Sequence, residues 1–217
     1  GDLCLRGARV SLWNRSPGAI AAFAGAPIKL TGALSTEVRP AMLTTDIAEA
    51  VRHAELIIVC VPAFAHEEVA RAAAPHLSPD QVVVLLPGRT FGALTFLHST
   101  GLPGDHAPAI AEAQTTPFAC RRRDANRCEV FSVKKNIAVA SLRRDRRTQI
   151  SDALQRAKLD TYTFVDNTLV TSMNSIGPLM HCPTMLLNVS LVDANADWAR
   201  KLRAPTKFYS EFITPRI

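Results

Sequence analysis

Two apolar segments, Leu56-Ile-Ile-Val-Cys-Val61 and Val82-Val-Val-Leu-Leu86, decide the fold of this chain of 217 residues. Both are rich in β-branched residues, and neither carries a polar residue that would mark a solvent-exposed face. Such runs are typical of strands that are buried on both faces of a parallel sheet. Between them, Phe64–His76 has apolar residues at spacings of three and four, which predicts a helix. The order strand, helix, strand predicts a βαβ unit.

The same alternation continues in both directions from this unit. Ala8–Trp13 predicts a strand, and Ser16 and Pro17 have the residue types of a helix N-cap and first helical position. The same kinds of pattern predict further strands at Ala41–Thr44, Ala107–Ala111, Val130–Val133 and Ile137–Ala140. They predict further helices at Ile47–His53, Phe91–His98 and Arg146–Ala157. These elements predict an α/β fold with a doubly wound parallel sheet.

The pattern changes towards the end of the chain. Asn167–Val192 has no hairpin signal and is interrupted only by Gly177-Pro178, which predicts a broken helix. We therefore expect an α/β domain over residues 1–162 and the beginning of a helical domain over residues 163–217.

Composition and charge exclude several classes of protein. The apolar runs are far shorter than the roughly 20 residues of a membrane span. Five cysteines, with no C-x-x-C pair, argue against a disulfide framework or a metal site and favour reduced thiols in the cytoplasm. The net charge is +6, but the arginine clusters at 121–123 and 143–147 have no interleaved aromatic residues. We expect them to be solvated faces and predict neither a nucleic-acid nor a membrane partner.

Asn14 and Arg15 follow the first predicted strand, where a dinucleotide fold commonly holds the adenosine ribose. No carboxylate is present there to bind a ribose 2′-hydroxyl. An arginine in this place accommodates a 2′-phosphate, which favours NADP(H) over NAD(H). Two alternatives stay open: Arg15 is a solvated loop residue, or it stacks on the adenine of NAD.

Small residues follow the next two predicted strands. Val61-Pro62-Ala63-Phe64 would let a flat ring and a pyrophosphate approach the backbone, and Gly88 permits close ligand approach or a simple turn. Because ligands of open α/β sheets bind outside the carboxyl ends of the strands, the two turns together favour a cofactor site at this edge. His66 is expected to be a first-turn helix residue.

Two further positions are candidates for contact with substrate. The stretch Ala111–Cys120 mixes a carboxylate, Glu112, with amide and hydroxyl side chains, so we expect Gln114 and Thr116 to line a site wall. His181 follows Gly177-Pro178 in an otherwise apolar stretch. It is either a hydrogen-bonded core histidine or, at a broken helix facing a cleft, a proton donor that works near neutral pH.

The ordered set Leu56–His66, Leu86-Pro-Gly88, Glu112 with Thr116–Arg121, Met180-His-Cys-Pro183 and Ile213-Thr-Pro215 resembles the octopine/nopaline (opine) dehydrogenase family. The resemblance implies a Rossmann domain followed by an all-helical substrate domain. It implies reductive condensation of an amino acid with a 2-oxo acid by NAD(P)H, or the reverse reaction. It also implies that His181 is the general acid/base. The residues implied to contact the cofactor are Asn14, Arg15, Val61–Phe64, Gly88 and Glu112.

The chain also departs from this family. We expect a first strand and its G-x-G-x-x-G loop to precede Gly1 and the helical domain to continue past Ile217 in a longer protein, which leaves the activity of the chain alone open. Cys182 stands where the family commonly has proline. Two alternatives are a dehydrogenase of 2-hydroxy compounds, similar to ketopantoate reductase or glycerol-3-phosphate dehydrogenase, and a non-catalytic nucleotide-binding remnant. The sequence does not indicate the oligomeric state.

Overall fold

A computed structural model of the chain describes residues 1–174, 182–183 and 186–187. The chain divides into two compact units, Gly1–Asn174 and Ser175–Ile217. In the second unit the described pairs, Cys182–Pro183 and Leu186–Leu187, are helical. The functional boundary expected between residues 162 and 163 stays a prediction.

The first unit contains helices and strands in alternation. Its strands are β1 (Ser11–Trp13), β2 (Ile28–Gly32), β3 (Thr36–Val38), β4 (Met42–Thr44), β5 (Leu56–Val59), β6 (Val82–Leu85), β7 (Ala109–Ala113), β8 (Phe118–Arg122), β9 (Arg127–Val133), β10 (Ile137–Ser141) and β11 (Tyr162–Phe164). Its α-helices are α1 (Asp2–Leu5), α2 (Pro17–Ala24), α3 (Ile47–Val51), α4 (His66–Ala73), α5 (Gly92–Thr100), α6 (Arg147–Arg156) and α7 (Thr168–Met173). Short 3-10 turns lie at Ala63–Ala65, Ala74–His76 and Arg144–Arg146.

The central sheet has five strands in the order β11-β10-β7-β6-β5. Strands β5, β6 and β7 are parallel, as the two apolar segments predict, and α4 and α5 connect them. Strand β10 departs from the expected all-parallel sheet because it runs antiparallel to β7. Strands β1 and β4 form a separate parallel pair. The α/β, Rossmann-like fold is confirmed.

The segment that forms β6 is apolar throughout because all four residues of the strand are buried. Val82 and Val84 face the cluster that contains Ile150 of α6, and Val83 and Leu85 face the cluster that contains Phe96 of α5. The strand alternates between two cores because successive side chains of a strand point to opposite faces. Helices therefore cover both faces of the sheet.

Most local helix signals are confirmed. Pro17 is the first residue of α2, which ends at Gly25, and Ser16 precedes it without a capping hydrogen bond from its side chain. The Asp46 carboxylate caps α3 by accepting from the backbone N–H of Ala48 at 2.8 Å. Among the described residues, no helix has the length and apolar character to cross a bilayer.

A second sheet of four strands, in the order β3-β2-β9-β8, was not expected from the sequence. Strand β2 pairs in parallel with β9, and the other pairs are antiparallel. The sequence predicted no element for β2 and β3. Phe118–Cys120, at the start of β8, belong to the stretch expected to form a site wall, which stays a prediction. These strands carry polar or charged residues, and the pairing of β2 with β9 joins segments that lie far apart in the chain.

Gly32 ends β2 at a point of close contact. Its φ is +88°, and a Cβ atom there would lie 2.3 Å from the carbonyl oxygen of Val130. We expect Gly32→Ala to lower the free energy of unfolding by about 2 kcal/mol or more, because strain and clash add. Chemical denaturation measures this. The control is Gly25→Ala, at φ −90° and with no atom within 4 Å of the added Cβ, for which we expect a change within about 1 kcal/mol. Equal effects of the two substitutions would contradict the prediction.

Candidate functional site

The carboxyl ends of β5, β6 and β7 lie side by side. Val59 is in register with Leu85, and Leu85 with Glu112. The turns that follow these strands, residues 60–64, 86–91 and 114–116, are therefore neighbours at one edge of the sheet. Open parallel sheets bind their ligands at this edge. Most of the residues expected at the site belong to these three turns.

The turn after β5 presents its residues to solvent. Pro62, Ala63 and Phe64 are exposed, and the ring of Phe64 is 85% exposed. Val61 is half-buried below them. An exposed aromatic ring beside small residues offers a flat apolar surface, which suits contact with a planar ligand.

The turn after β6 is tightly packed instead of open. Gly88 is buried, and a Cβ atom on it would lie 2.3 Å from the Cβ atom of Glu112. Glycine is thus required at 88 by the neighbouring strand, and close approach of a ligand there stays a prediction. Two non-glycine residues of this turn, Arg89 and Phe91, have positive φ values of 61° and 53°. Such conformations persist only where surrounding contacts hold them.

Glu112 is the centre of a buried polar cluster. Its side chain is fully buried, and one carboxylate oxygen accepts hydrogen bonds from the hydroxyls of Thr171 and Ser172, both at 2.7 Å. The other oxygen accepts from the backbone N–H of Ala93 at 2.9 Å. Ser172 in turn accepts from the N–H of Phe91 at 2.9 Å. Glu112 therefore links β7 to the start of α5 and to α7, and a contact with cofactor would require these bonds to open.

His66 lies beside this cluster as the first residue of α4. It is 1% exposed, and its Nε2 atom has no hydrogen-bond partner. Burial lowers the pKa of His66, while a hydrogen bond with the Val61 backbone and the nearby charge of Glu112 act in the opposite direction. A buried, neutral imidazole agrees with the expected structural place in the first helical turn.

Arg15 lies directly after β1, as its position in the sequence predicts, and it has a partner that no sequence pattern indicates. Its guanidinium contacts both carboxylate oxygens of Glu68 on α4, at 2.6 and 2.5 Å. The two side chains are 69% and 57% exposed. An exposed pair of this kind contributes little to stability, so Arg15 can change partner at small cost. The Asn14 side chain accepts from the N–H of Ser16 at 2.9 Å and shapes the same turn.

The expected substrate residues lie in the turn after β7. Gln114 and Thr116 are half-buried. The amide of Gln114 donates to the carbonyl of Asn174 at 2.5 Å, and the hydroxyl of Thr116 donates to the carbonyl of Phe118 at 3.2 Å. Thr115, between them, accepts from the Lys134 ammonium at 2.8 Å. Lys134 was not anticipated, because no sequence signal connects it with this turn.

His181, the expected proton donor, lies outside the described residues. Its role therefore stays a prediction. Among residues that the structure describes, no group of three His, Cys, Asp or Glu side chains could hold a metal ion.

Comparison with known proteins agrees with this architecture. The ketopantoate reductase PanE/ApbA family model matches residues 1–87. An opine dehydrogenase of Arthrobacter sp. (strain 1C) is 30% identical over 219 residues, which cover 99% of this chain and 58% of that enzyme. The chain is similar to this opine dehydrogenase along nearly its whole length.

Solved structures of this group share the fold. Yersinopine dehydrogenase with NADP⁺ has a TM-score of 0.64 at 19% identity, covering 85% of this chain and 48% of that one. Octopine dehydrogenase with NADH and L-arginine has a TM-score of 0.63 at 21% identity, covering 76% and 43%. The chain thus spans 58% of the curated opine dehydrogenase that it matches and a smaller share of these structures.

The buried cluster around Glu112 leads to a stability prediction. Glu112→Gln replaces an all-acceptor group by one that carries an N–H₂ facing other donors, which costs about 1–3 kcal/mol of unfolding free energy. Glu112→Ala removes the acceptor of all three donors, of which, in the described part of the chain, only Thr171 keeps another partner, the carbonyl of Thr168, and costs about 3–5 kcal/mol. Urea denaturation measures both changes.

The matched control is Glu67→Gln, which removes a carboxylate from the exposed pair of Glu67 with Arg71. We expect a change of about 1 kcal/mol or less for this variant. If Glu112→Gln is as stable as the unsubstituted chain, Glu112 does not tie the helices together.

Proposed function

We propose that the natural protein is an NAD(P)H-dependent oxidoreductase that acts on a CH–NH bond and joins an amino acid to a 2-oxo acid. The observation that carries this proposal is the 30% identity to an opine dehydrogenase along 99% of the chain. The edge formed by the turns after β5, β6 and β7 supports it, since these turns combine an open apolar surface with polar side chains. We also propose a cytoplasmic location, because all five cysteines are free.

The residues at this edge fit a dinucleotide. The exposed side chain of Phe64 and the small residues beside it leave room for the nicotinamide, and Val61 and Pro62 would form the floor beneath it. Arg15, exposed at the end of β1, fits the adenosine end. When bound, the reduced nicotinamide supplies a hydride. The residues Asn14, Gly88 and Glu112 remain proposals as direct cofactor contacts, and the buried state of Glu112 argues for an indirect part.

The chain's own groups have separate tasks in such a reaction. Condensation of an amine with a 2-oxo acid releases water, and both this step and the reduction of the resulting imine need a positioned proton donor. We assign this task to His181, whose ordinary pKa lies near neutrality. Gln114 and Thr116, half-buried beside the nicotinamide end, would orient the substrate through their amide and hydroxyl groups.

A dehydrogenase of 2-hydroxy compounds is the second candidate. The match of the ketopantoate reductase family to residues 1–87 favours it, but this match covers the first part of the chain alone. The two functions differ in their requirement for an amine.

Kinetics on the natural protein distinguish these candidates. We expect NAD(P)H oxidation to require both an amino acid and a 2-oxo acid, and mass spectrometry to find the secondary amine product. Oxidation with a 2-oxo acid alone, at the same rate, would support the 2-hydroxy dehydrogenase. Dinucleotide binding without turnover on any pair would instead indicate a non-catalytic nucleotide-binding protein.

Arg15 leads to a prediction about cofactor choice, since we propose that it binds the 2′-phosphate of NADP(H). Arg15→Asp should raise the Kd for NADPH by about 10- to 100-fold, because it removes a charge-assisted hydrogen bond to the phosphate. The Kd for NADH should change little. Glu68→Gln should have the opposite sign and lower the Kd for NADPH, because it frees the guanidinium. Fluorescence titration of the natural protein measures both constants.

Arg71→Gln serves as the control, because Arg71 lies on the same helix and pairs with Glu67. It should leave both dissociation constants unchanged. Equal effects of Arg15→Asp on NADPH and NADH would remove Arg15 from the 2′-phosphate site.

His181 leads to a prediction about turnover. His181→Ala in the natural protein should lower kcat by about 10²- to 10⁴-fold, with cofactor affinity nearly unchanged, because the loss is confined to the transition state. His181→Gln keeps most of the volume without the proton chemistry and should be almost as inactive at an unchanged melting temperature. Full activity of the Gln variant would exclude a catalytic role, and a lowered melting temperature with normal turnover would indicate a core histidine.

A further inference from the structure

His66 is a buried titratable side chain to which the proposed reaction assigns no task. It is the first residue of α4, and it is 1% exposed. A Cβ atom on Gly92, the first residue of α5, would lie 3.1 Å from the Nδ1 atom of His66 and 3.2 Å from its Cε1 atom. One edge of the imidazole therefore packs directly against the backbone where α5 begins.

A second contact of this ring lies in the turn after β5, which carries the exposed side chain of Phe64. The carbonyl of Pro62 accepts from the N–H of Ala65 at 2.9 Å, which closes the turn through its backbone. Burial lowers the pKa of His66, and the hydrogen bond of its ring with the Val61 backbone acts in the opposite direction. A bond that favours the protonated ring is one that the ring donates, so the Val61 carbonyl is the acceptor. Because Nε2 has no partner, the donor is Nδ1.

The Nε2 atom of the ring is enclosed without a hydrogen-bond partner in the described part of the chain. With the proton on Nδ1, Nε2 is a bare acceptor, and a second proton there would meet no acceptor. Among the described residues, the charge that acts on the ring is that of Glu112 on β7, and both oxygens of Glu112 already accept from α5 and α7. The turn after β5 and the start of α5 meet the ring with backbone atoms, and Glu67 and Glu68, next on α4, are exposed. The surroundings therefore fit the neutral ring and not the charged one.

We propose that His66 is a positioning residue for the dinucleotide: its neutral imidazole holds the turn Val61–Phe64 against the start of α5, and protonation of Nε2 releases the turn. The inference rests on the proposed function, which places the nicotinamide beside Phe64. His66 is enclosed by protein, so it acts through the turn and does not touch the cofactor. The cofactor surface thereby contains its own response to pH.

Protonation loosens the turn for two reasons. An imidazolium is costly to bury, and its Nε2–H needs an acceptor that the enclosed position does not supply. Both costs are relieved when the turn moves away and water reaches the ring. The ring then leaves the Val61 carbonyl and the backbone of Gly92, and Phe64 loses the position beside the nicotinamide.

The direction of the response follows from the lowered pKa. In the unfolded chain a histidine titrates near its ordinary pKa of about 6.5, and burial of His66 lowers this pKa in the folded protein. Between the two values the unfolded chain binds more protons. The free energy of unfolding is therefore highest above about pH 6.5 and falls as the pH drops through this range towards the folded pKa. Dinucleotide affinity should fall over the same range, because binding needs the turn in place.

Titration of the natural protein with NADP⁺ at pH values from about 7.5 to about 5 tests this response. His66→Asn keeps an N–H near the place of Nδ1 but does not titrate. Its Kd should lie within about threefold of that of the unsubstituted protein at about pH 7.5 and be about tenfold lower at about pH 5. The ratio of the two constants cancels the titration of the NADP⁺ phosphate itself.

Two further variants separate the hydrogen bond from the charge. His66→Leu lacks the donor and should raise the Kd for NADP⁺ by about tenfold at every pH. His76→Gln removes an exposed histidine that follows the same helix, and it should behave like the unsubstituted protein throughout.

Urea denaturation over the same range gives a readout that does not depend on cofactor. The free energy of unfolding should decrease more steeply below about pH 6.5 in the unsubstituted protein than in His66→Asn. Equal pH profiles of these two proteins, or full NADP⁺ affinity of His66→Leu at neutral pH, would overturn the proposal. If no variant binds NADP⁺ while the unfolding profiles differ as expected, the proposed dinucleotide function fails and the positioning role with it, although the pH response of the fold stands.

Discussion

The buried carboxylate of Glu112 is the constraint on which the site edge depends. A carboxyl group is costly to bury without hydrogen bonds, and three donors from the start of α5 and from α7 offset that cost. The arrangement fixes more than the carboxylate. It requires glycine at position 88, and through Ser172 it holds the backbone of Phe91 in its unusual conformation. One side chain thereby sets the shape of two neighbouring turns.

Charge is distributed unevenly along the same edge. At the β1 end, Arg15 is paired with Glu68 in a solvent-exposed contact that an incoming phosphate can replace. Beyond β7, the half-buried ammonium of Lys134 donates to the Thr115 hydroxyl at 2.8 Å. The apolar turn around Phe64 lies between these two regions. A ligand with an anionic group at the Arg15 end and a planar, uncharged part beside Phe64 would match this order.

The sequence predicted the central part of the fold because the information there is local. The apolar runs of β5 and β6 are decided by their own residues, and Asp46 caps α3 within two positions. The four-stranded sheet was missed because β2 pairs with β9, whose residues lie far from it in the chain, Lys29 with Arg127 and Gly32 with Val130. Within the site, the turns after β1, β5 and β7 were expected. The pairing of Arg15 with Glu68, the burial of Glu112 and the approach of Lys134 to Thr115 depend on tertiary contacts that no spacing in the sequence encodes.

The parallel pairing of β2 with β9 has a consequence for the order of folding. It joins Lys29 to Arg127 and Gly32 to Val130, with the entire β5–β7 region in the intervening chain. Closing so large a loop costs conformational entropy, and the contacts between the two strands offset this cost only once the loop has closed. The βαβ units need only local crossovers, so they can assemble first and bring the two distant segments together. Within the four-stranded sheet, the pairing of β2 with β9 therefore carries the largest cost of loop closure, whereas β3 and β8 pair with strands next to them in the chain.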